Sequence, residues 1–250
     1  MGPPLAGGRE RGAPPGAEDV ARRGFNTRSG AGPVAGQPHA VLAKAGRTLD
    51  VLERRRGDLP EKVVPDADRL LALRRELTGL TKGVSRRGFG VLKTRHHGNY
   101  RLQQVLVVGN DFRIIGFEGE SARPLAERRT KHSPLRDVAG MLRSFDYAIR
   151  SAMRNLGAER ADQLEDLEPW IRLWEERTKK AFLDGYAEGV RGAVSYPEIG
   201  EHARVLIELF TLEKAIYEIS YELDNRPDWV GIPIRGVLDL LQERGGRENP

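Results

Sequence analysis

The sequence predicts an α+β domain that is mostly helical, with one small β-hairpin set among the helices. Three observations predict it. Apolar residues recur at helical spacing on both sides of the chain's centre, the central stretch "QQVLVVGNDFRIIGF" carries two β-rich runs split by turn residues, and no internal repeat is present.

Residues 1 to 40 open the chain with Gly, Pro, Ala and Arg and almost no apolar periodicity. Such a segment cannot bury enough surface to offset its ordering entropy, so it reads as disordered. A folded domain is expected over 41–245, with 246–250 as a tail. In "AVLAKAGRTLDVLERRR", Val41, Leu42, Ala45, Leu49 and Leu52 mark a first helix, and Pro65 opens a second carrying Leu70, Leu71, Leu73, Leu77 and Leu80.

The centre reads as strand: "GVLKTRH", then "QQVLVV", a turn at Gly109, Asn110 and Asp111, then "FRIIGF". Residues 97 to 104 then form the loop before one strand, and Gly116 ends the other. Beyond residue 130 the pattern is helical. Ser133 and Pro134 take N-cap and N1 positions, ahead of the stripe Leu135, Val138, Leu142, Phe145, Ile149 and Met153. Further helices are expected over 169–188, 198–223 and 234–243, with Trp170, Trp174 and Phe182 read as core.

Composition bounds the function. The 250 residues can bury a sizeable core in one or two domains, and the absence of cysteine removes disulfide and thiolate chemistry and suits a reducing cytoplasm. No signal-peptide h-region or long apolar span suggests a membrane. The net charge of +5 is small and its acidic and basic residues interleave, so the surface reads as solvated, not as a nucleic-acid footprint.

The chemistry concentrates in "HHGNYRLQQVLVVGNDFRIIGFEGE", residues 96 to 120. In a kinase-type catalytic loop, H-x-D-x-x-x-x-N, the Asp accepts the substrate hydroxyl proton and the amide five residues later holds a metal ion. A second Asp after the next strand holds metal at the ATP phosphates. Here His97-Gly98-Asn99 begins such a loop, Gln104 falls five residues on, and "FRII" delivers Gly116-Phe117-Glu118. The spacing is kept, and both carboxylates are missing.

These residues resemble the maltokinase family, bacterial sugar kinases similar in fold to aminoglycoside phosphotransferases and also found fused to trehalose synthase. The family pattern runs approximately H-G-D-Y-H-L-G-Q-V-L and then I-I-D-F-E-G-E-P-x-R-P. The likeness continues through "RPLAERRTKHSPLRDVAGMLRSFDYA" and "LEKAIYEISYELDNRPDWVGIPIRGVLDLL". It implies the C-terminal lobe of a protein-kinase-like fold, ATP and magnesium as cofactors, and maltose or a related disaccharide as substrate, phosphorylated at the anomeric hydroxyl.

The resemblance places the family's catalytic Asp at Asn99, its following His at Arg101, its Gly at Gln103 and its metal-binding Asp at Gly116, while Gln104 keeps the other ligand position. An amide is a poor proton acceptor, and general-base help is worth ~10²–10⁴ in rate. Glycine supplies no oxygen to magnesium. About ninety-five residues precede His97, so the resemblance also implies a lobe without its nucleotide-gripping partner; "GFG" at Gly88 to Gly90 reads as a plain turn.

His97 is read as a buttress of the loop in preference to a catalytic remnant. Glu118 leaves two readings open, a compensating metal ligand or substrate contact and an ion pair with a neighbouring Arg. Asp111 is assigned to the turn. Arg123, Arg128, Arg129, Lys131 and Arg136 alternate with acids and read as ion-paired surface, and His96, His132 and His202 lack the spacing of a metal site. Lys214, Tyr217 and Tyr221, at i, i+3 and i+7, share one helix face; with Arg226 and Arg101 they are candidates for holding a sugar, against the alternative of core tyrosines and a paired lysine. The expectation is a chain deficient in phosphoryl transfer on its own. Its rival is a non-catalytic module that holds a disaccharide or docks on trehalose synthase or an intact kinase.

Overall fold

The computed structural model describes residues 37–77, 93–121, 123–159, 161–193, 195–196 and 200–248. Most of the leading Gly/Pro-rich segment and the Gly88 to Gly90 turn lie outside these residues.

Helix α1, Gln37–Arg54, begins four residues ahead of Val41 and is followed by α2, Val64–Ala72, with Pro65 in its first turn. Strands β1, Val105–Val108, and β2, Asp111–Ile114, pair antiparallel from Val105 opposite Ile114 to Val108 opposite Asp111. Asp111 is therefore the first residue of a strand. The turn itself has two residues, with Gly109 at φ +62°, a conformation suited to a residue without Cβ. The run "GVLKTRH" contributes one isolated bridge, Thr94 to His132, among the described residues.

The remaining helices are the short α3, Leu125–Arg128, then α4, Leu135–Glu159, α5, Ala161–Gly189, α6, Gly200–Asn225, and α7, Gly231–Glu248. Ser133 Oγ accepts the Leu135 N–H at 3.3 Å, capping α4. Helix α5 starts eight residues before the expected boundary and runs through Pro169, which removes one backbone donor without ending the helix.

Two apolar clusters share α6 as their spine. Ile216, Ile219 and Leu223 on its C-terminal half meet Leu49 and Leu52 of α1, Leu70 of α2, and Ile234 and Val237 of α7. Leu206, Leu209 and Phe210 on its N-terminal half meet Leu135, Val138, Leu142 and Phe145 of α4, with Tyr100 and Val105 packed alongside. The expected α4 stripe is the face that packs. Trp170 and Trp174 are not core: they are 69% and 54% exposed. Phe182 fixes the inner face of α5 by packing against Phe145, with ring centroids 5.7 Å apart. At about 100° per residue the two tryptophans point roughly 80–120° away from it.

A buried ionic network ties α4, α5 and α6 together. Arg143, 1% exposed, donates from Nε to Glu218 at 2.9 Å and from Nη1 to Asp146 at 2.6 Å. Asp146 meets Lys179 of α5 at 2.5 Å. Burial works against the Arg143 charge, but the Glu218 and Asp146 carboxylates outweigh it and hold the guanidinium above its ordinary value. Gly236 of α7 leaves room for this group: a Cβ there would lie 2.1 Å from Arg143 Nη1.

Candidate functional site

The loop over residues 96–104 rests on the N-terminal part of α4. Asp137 accepts the backbone N–H of His97 at 2.6 Å and of Gly98 at 2.8 Å. Ser144 Oγ accepts the Leu102 N–H at 2.9 Å. Gly140 allows the contact, because a Cβ on it would sit 2.9 Å from the Tyr100 carbonyl oxygen. Neither Asp137 nor Ser144 stands out in the sequence; an acid in the first turn of a helix reads as a dipole partner until the loop is seen against it.

His97 is buried and makes two ring contacts: Nε2–H donates to the Ile115 carbonyl at 2.7 Å, and Nδ1 accepts the Asn99 N–H at 3.3 Å. Nε2 thus fastens the loop to the residue after β2, and Nδ1 bonds within the loop itself. The histidine holds Asn99 in place through the backbone.

Gly116 follows β2 with φ +79°, and the Gln104 side chain lies across it. A Cβ built at Gly116 would be 2.0 Å from Gln104 Oε1 and 2.7 Å from Cδ. The space that a side chain at 116 would need is filled by the neighbouring amide. The residues present do not fit a magnesium ion: Asn99 is neutral, Gly116 gives no side-chain oxygen, and among the described residues no group of three or more His, Cys, Asp or Glu could hold a metal. Glu118 is exposed, and its backbone carbonyl accepts from Arg128 Nη1 at 3.1 Å.

A cleft opens beside this loop, lined among others by Asn99, Arg101, Glu120, Arg123, Arg136 and Lys214. Of the sequence candidates, Asn99, Arg101 and Lys214 come together here. Tyr217 lies behind Lys214 on the same face of α6, and its ring stacks with Tyr221 at 6.4 Å. Arg226 is turned elsewhere, donating to Glu222 at 2.9 and 2.6 Å. Two members of the basic run are ion-paired, Arg123 with Glu127 at 2.6 Å and Arg136 with Glu213, while Arg128 donates to the Glu118 backbone carbonyl.

Three cations surround the Tyr217 ring, with Lys44 Nζ 4.7 Å, Lys214 Nζ 5.1 Å and Arg123 Cζ 5.5 Å from its centroid. Burial and the Arg123 charge hold Lys44 below the ordinary lysine value. Burial lowers Lys214 as well, with Arg123 and Arg101 adding to it against the pull of Glu218 and Glu120. Lys44, on α1, had no signal in the sequence that would have placed it beside a residue more than 170 positions away.

His96 and His132 meet edge to face at 5.3 Å at the back of the cleft. Burial, with the Arg136 charge behind it, pushes His132 down to about 3, and burial also lowers His96. Between that value and the free-histidine value of 6.5 the unfolded chain binds a proton that the folded chain refuses. Stability should therefore fall as pH drops below about 6.5, ahead of the carboxylates. Denaturant melts near neutrality and at about pH 5 check this: His132→Gln is expected to shrink the drop in midpoint, and an unchanged drop would remove the histidine from the account.

No family model matches the sequence. The chain is 25% identical over 225 residues to a glucosamine kinase of Streptacidiphilus jiangxiensis, an overlap of 85% of this chain and 49% of the relative. Its fold matches a crystal form of glucosamine kinase at a TM-score of 0.65 and 21% identity, covering 88% of this chain and 51% of that one. A glucosamine kinase in complex with glucosamine, ADP and inorganic phosphate matches at the same TM-score of 0.65 and 21% identity, with 88% and 52% coverage. The chain is thus similar in sequence and in kinase-like fold to sugar kinases, and it spans about half the length of the relatives it matches.

Proposed function

We propose that this chain is the substrate-side half of a sugar-kinase fold in which phosphoryl transfer has lapsed and sugar recognition is kept. The observation that carries the reading is the exchange at the centre of the site. An amide stands at position 99, and the Gln104 side chain occupies the room that a metal-binding side chain at 116 would need. The backbone scaffold is intact around both, with Asp137 and His97 holding the loop. What is absent is the proton acceptor and the metal ligand, and what remains is a cleft with polar and charged walls.

The sugar is either glucosamine, which the matched relative phosphorylates by its name, or maltose, which the sequence pattern of residues 97–120 and 212–241 suggests. Calorimetry of the whole chain with each sugar in the absence of nucleotide tests the reading. Saturable heat with one of them supports it, and no heat with either at millimolar concentration removes sugar recognition.

A second reading, docking on an intact kinase or on trehalose synthase, is favoured by one feature. The hairpin exposes Val107 and Phe112 at 74% and 68%, a side-by-side apolar pair on one face of the two strands. Co-purification with each candidate, repeated with Phe112→Ser, separates docking from simple exposure.

A further inference from the structure

The hairpin leaves an edge open. Ile115 N–H donates to the Gln104 carbonyl at 2.9 Å, which fixes the alternation along the ladder: Gln104 with Ile115, Leu106 with Arg113, and Val108 with Asp111 turn their backbone groups toward each other. Phe112 and Ile114 therefore aim theirs away from β1, and among the described residues no third strand meets them. The Phe112 N–H instead donates to its own neighbour, Asp111 Oδ1, at 2.7 Å. On the opposite edge the Val105 N–H is already taken by the Leu102 carbonyl. Of the two edges, that of β2 is the more open to another strand.

The residues on that edge are complementary to themselves. In an antiparallel pair of β2 strands related by a two-fold axis at Phe112, each Phe112 exchanges backbone bonds with its copy, and Asp111 of each chain lies opposite Arg113 of the other. These Asp–Arg pairs fall at the positions without backbone bonds, where opposed side chains come closest. Both residues are exposed, and among the described residues neither is in an ion pair. Phe112, 68% exposed, meets its copy on the apolar face that also carries Val107 and Ile114. Sliding one strand by two residues would set Arg113 against Arg113 or Asp111 against Asp111. Sliding it by one would oppose outward backbone groups to groups already used by β1. Charge and hydrogen bonding select the same register.

We propose that β2 is a homodimerisation edge: two copies of the chain pair β2 to β2, antiparallel about Phe112, and join their hairpins into one four-stranded sheet with reciprocal Asp111–Arg113 ion pairs. A lone two-stranded hairpin is marginal in water, and a sheet of four strands is not. An edge this short buries less than a standard interface, so the dimer should be weak, with a dissociation constant of roughly 10–100 µM. It should weaken further as salt is raised. The surface is the one that favours the docking reading, but the occupant is a second copy, and neither that reading nor the sugar reading is needed for it.

The test is equilibrium sedimentation of the full chain over about 1–500 µM, a range that brackets this constant. A monomer–dimer equilibrium is expected. Asp111→Arg sets arginines opposite each other and Arg113→Asp sets carboxylates opposite each other, so each variant alone should dimerise at least roughly tenfold more weakly. Mixed in equal amounts, the two variants again join an arginine to a carboxylate in both pairs across the edge, and the mixture should recover the affinity of the unaltered chain. Both side chains are exposed, so the fold is not at risk, and recovery on mixing itself requires folded components. A chain that stays monomeric throughout, a dimer indifferent to both substitutions, or a mixture no tighter than its components overturns the proposal. Capture of an intact kinase or of trehalose synthase by a chain that stays monomeric supports the docking reading and counts against this one.

Discussion

Incubated with ATP, magnesium and either glucosamine or maltose, the chain is expected to release no sugar phosphate above a blank. The first reason is chemical. A substrate hydroxyl must lose its proton as the phosphoryl group arrives, and the Asn99 amide does not accept it; general-base help alone is worth ~10²–10⁴ in rate. The second is geometric. Gly116 supplies no side-chain oxygen, and Gln104 fills the space where one would project, its Oε1 2.0 Å from the position of a Cβ.

The same geometry predicts how restoration should behave. Gly116→Asp must displace the Gln104 side chain and must also place a Cβ on a backbone with φ +79°, at a cost of about 1–2 kcal/mol for an ordinary residue. Asn99→Asp with Gly116→Asp is therefore expected to lower the unfolding midpoint and still give no turnover. Shortening Gln104 to Ala in that background should recover part of the stability, because the obstacle is then gone. Coupled-enzyme detection of ADP and a denaturant melt of each variant read both effects. Turnover by the unaltered chain near that of an intact relative would end the idea that the site has lapsed.

Replacing Arg143 by Ala is expected to destabilise the fold by about 3–5 kcal/mol, a large part of the stability of a typical domain. The guanidinium is 1% exposed and neutralises Glu218 and Asp146 at 2.9 and 2.6 Å. Without it, two carboxylates that belong to different helices face each other with little access to water. Lys179 offsets part of the loss at Asp146, since it lies 2.5 Å away. Glu218 feels the Lys214 charge, but among the described residues its ion pair is with Arg143. Arg143→Met combined with Glu218→Leu should recover much of the loss, because an apolar pair of similar bulk carries no desolvation penalty. Urea denaturation of the three proteins decides it: a cost below about 1 kcal/mol for Arg143→Ala would place the network in solvent and not in the interior.

Much of the fold was legible because its signals are local. The α4 stripe from Leu135 to Ile149 is spaced to bury one face, and Leu135 and Val138 are fully buried where that spacing puts them. The hairpin was legible from two β-rich runs and a glycine that can take positive φ. The exposed tryptophans of α5 were not: composition says that Trp is apolar, but the face a long helix buries is chosen by its neighbours, here through Phe182 against Phe145. Pro169 likewise marks a helix start in most sequences, and the continuous helix around it is a tertiary outcome.

The sequence by itself determined most of the helices, the hairpin, and the absence of carboxylates at positions 99 and 116 in a spacing that otherwise suits phosphoryl transfer. These are properties of residue type and of separations of a few positions, which backbone geometry converts directly into structure. Only the tertiary structure decided that Gln104 lies in the side-chain space of Gly116, that Asp137 secures the loop from a helix forty residues on, and that Lys44 and Lys214 share one tyrosine ring. Each of these is a meeting of groups from separate elements, set by how α1, α4 and α6 pack, and packing depends on the summed shape and burial of many side chains at once.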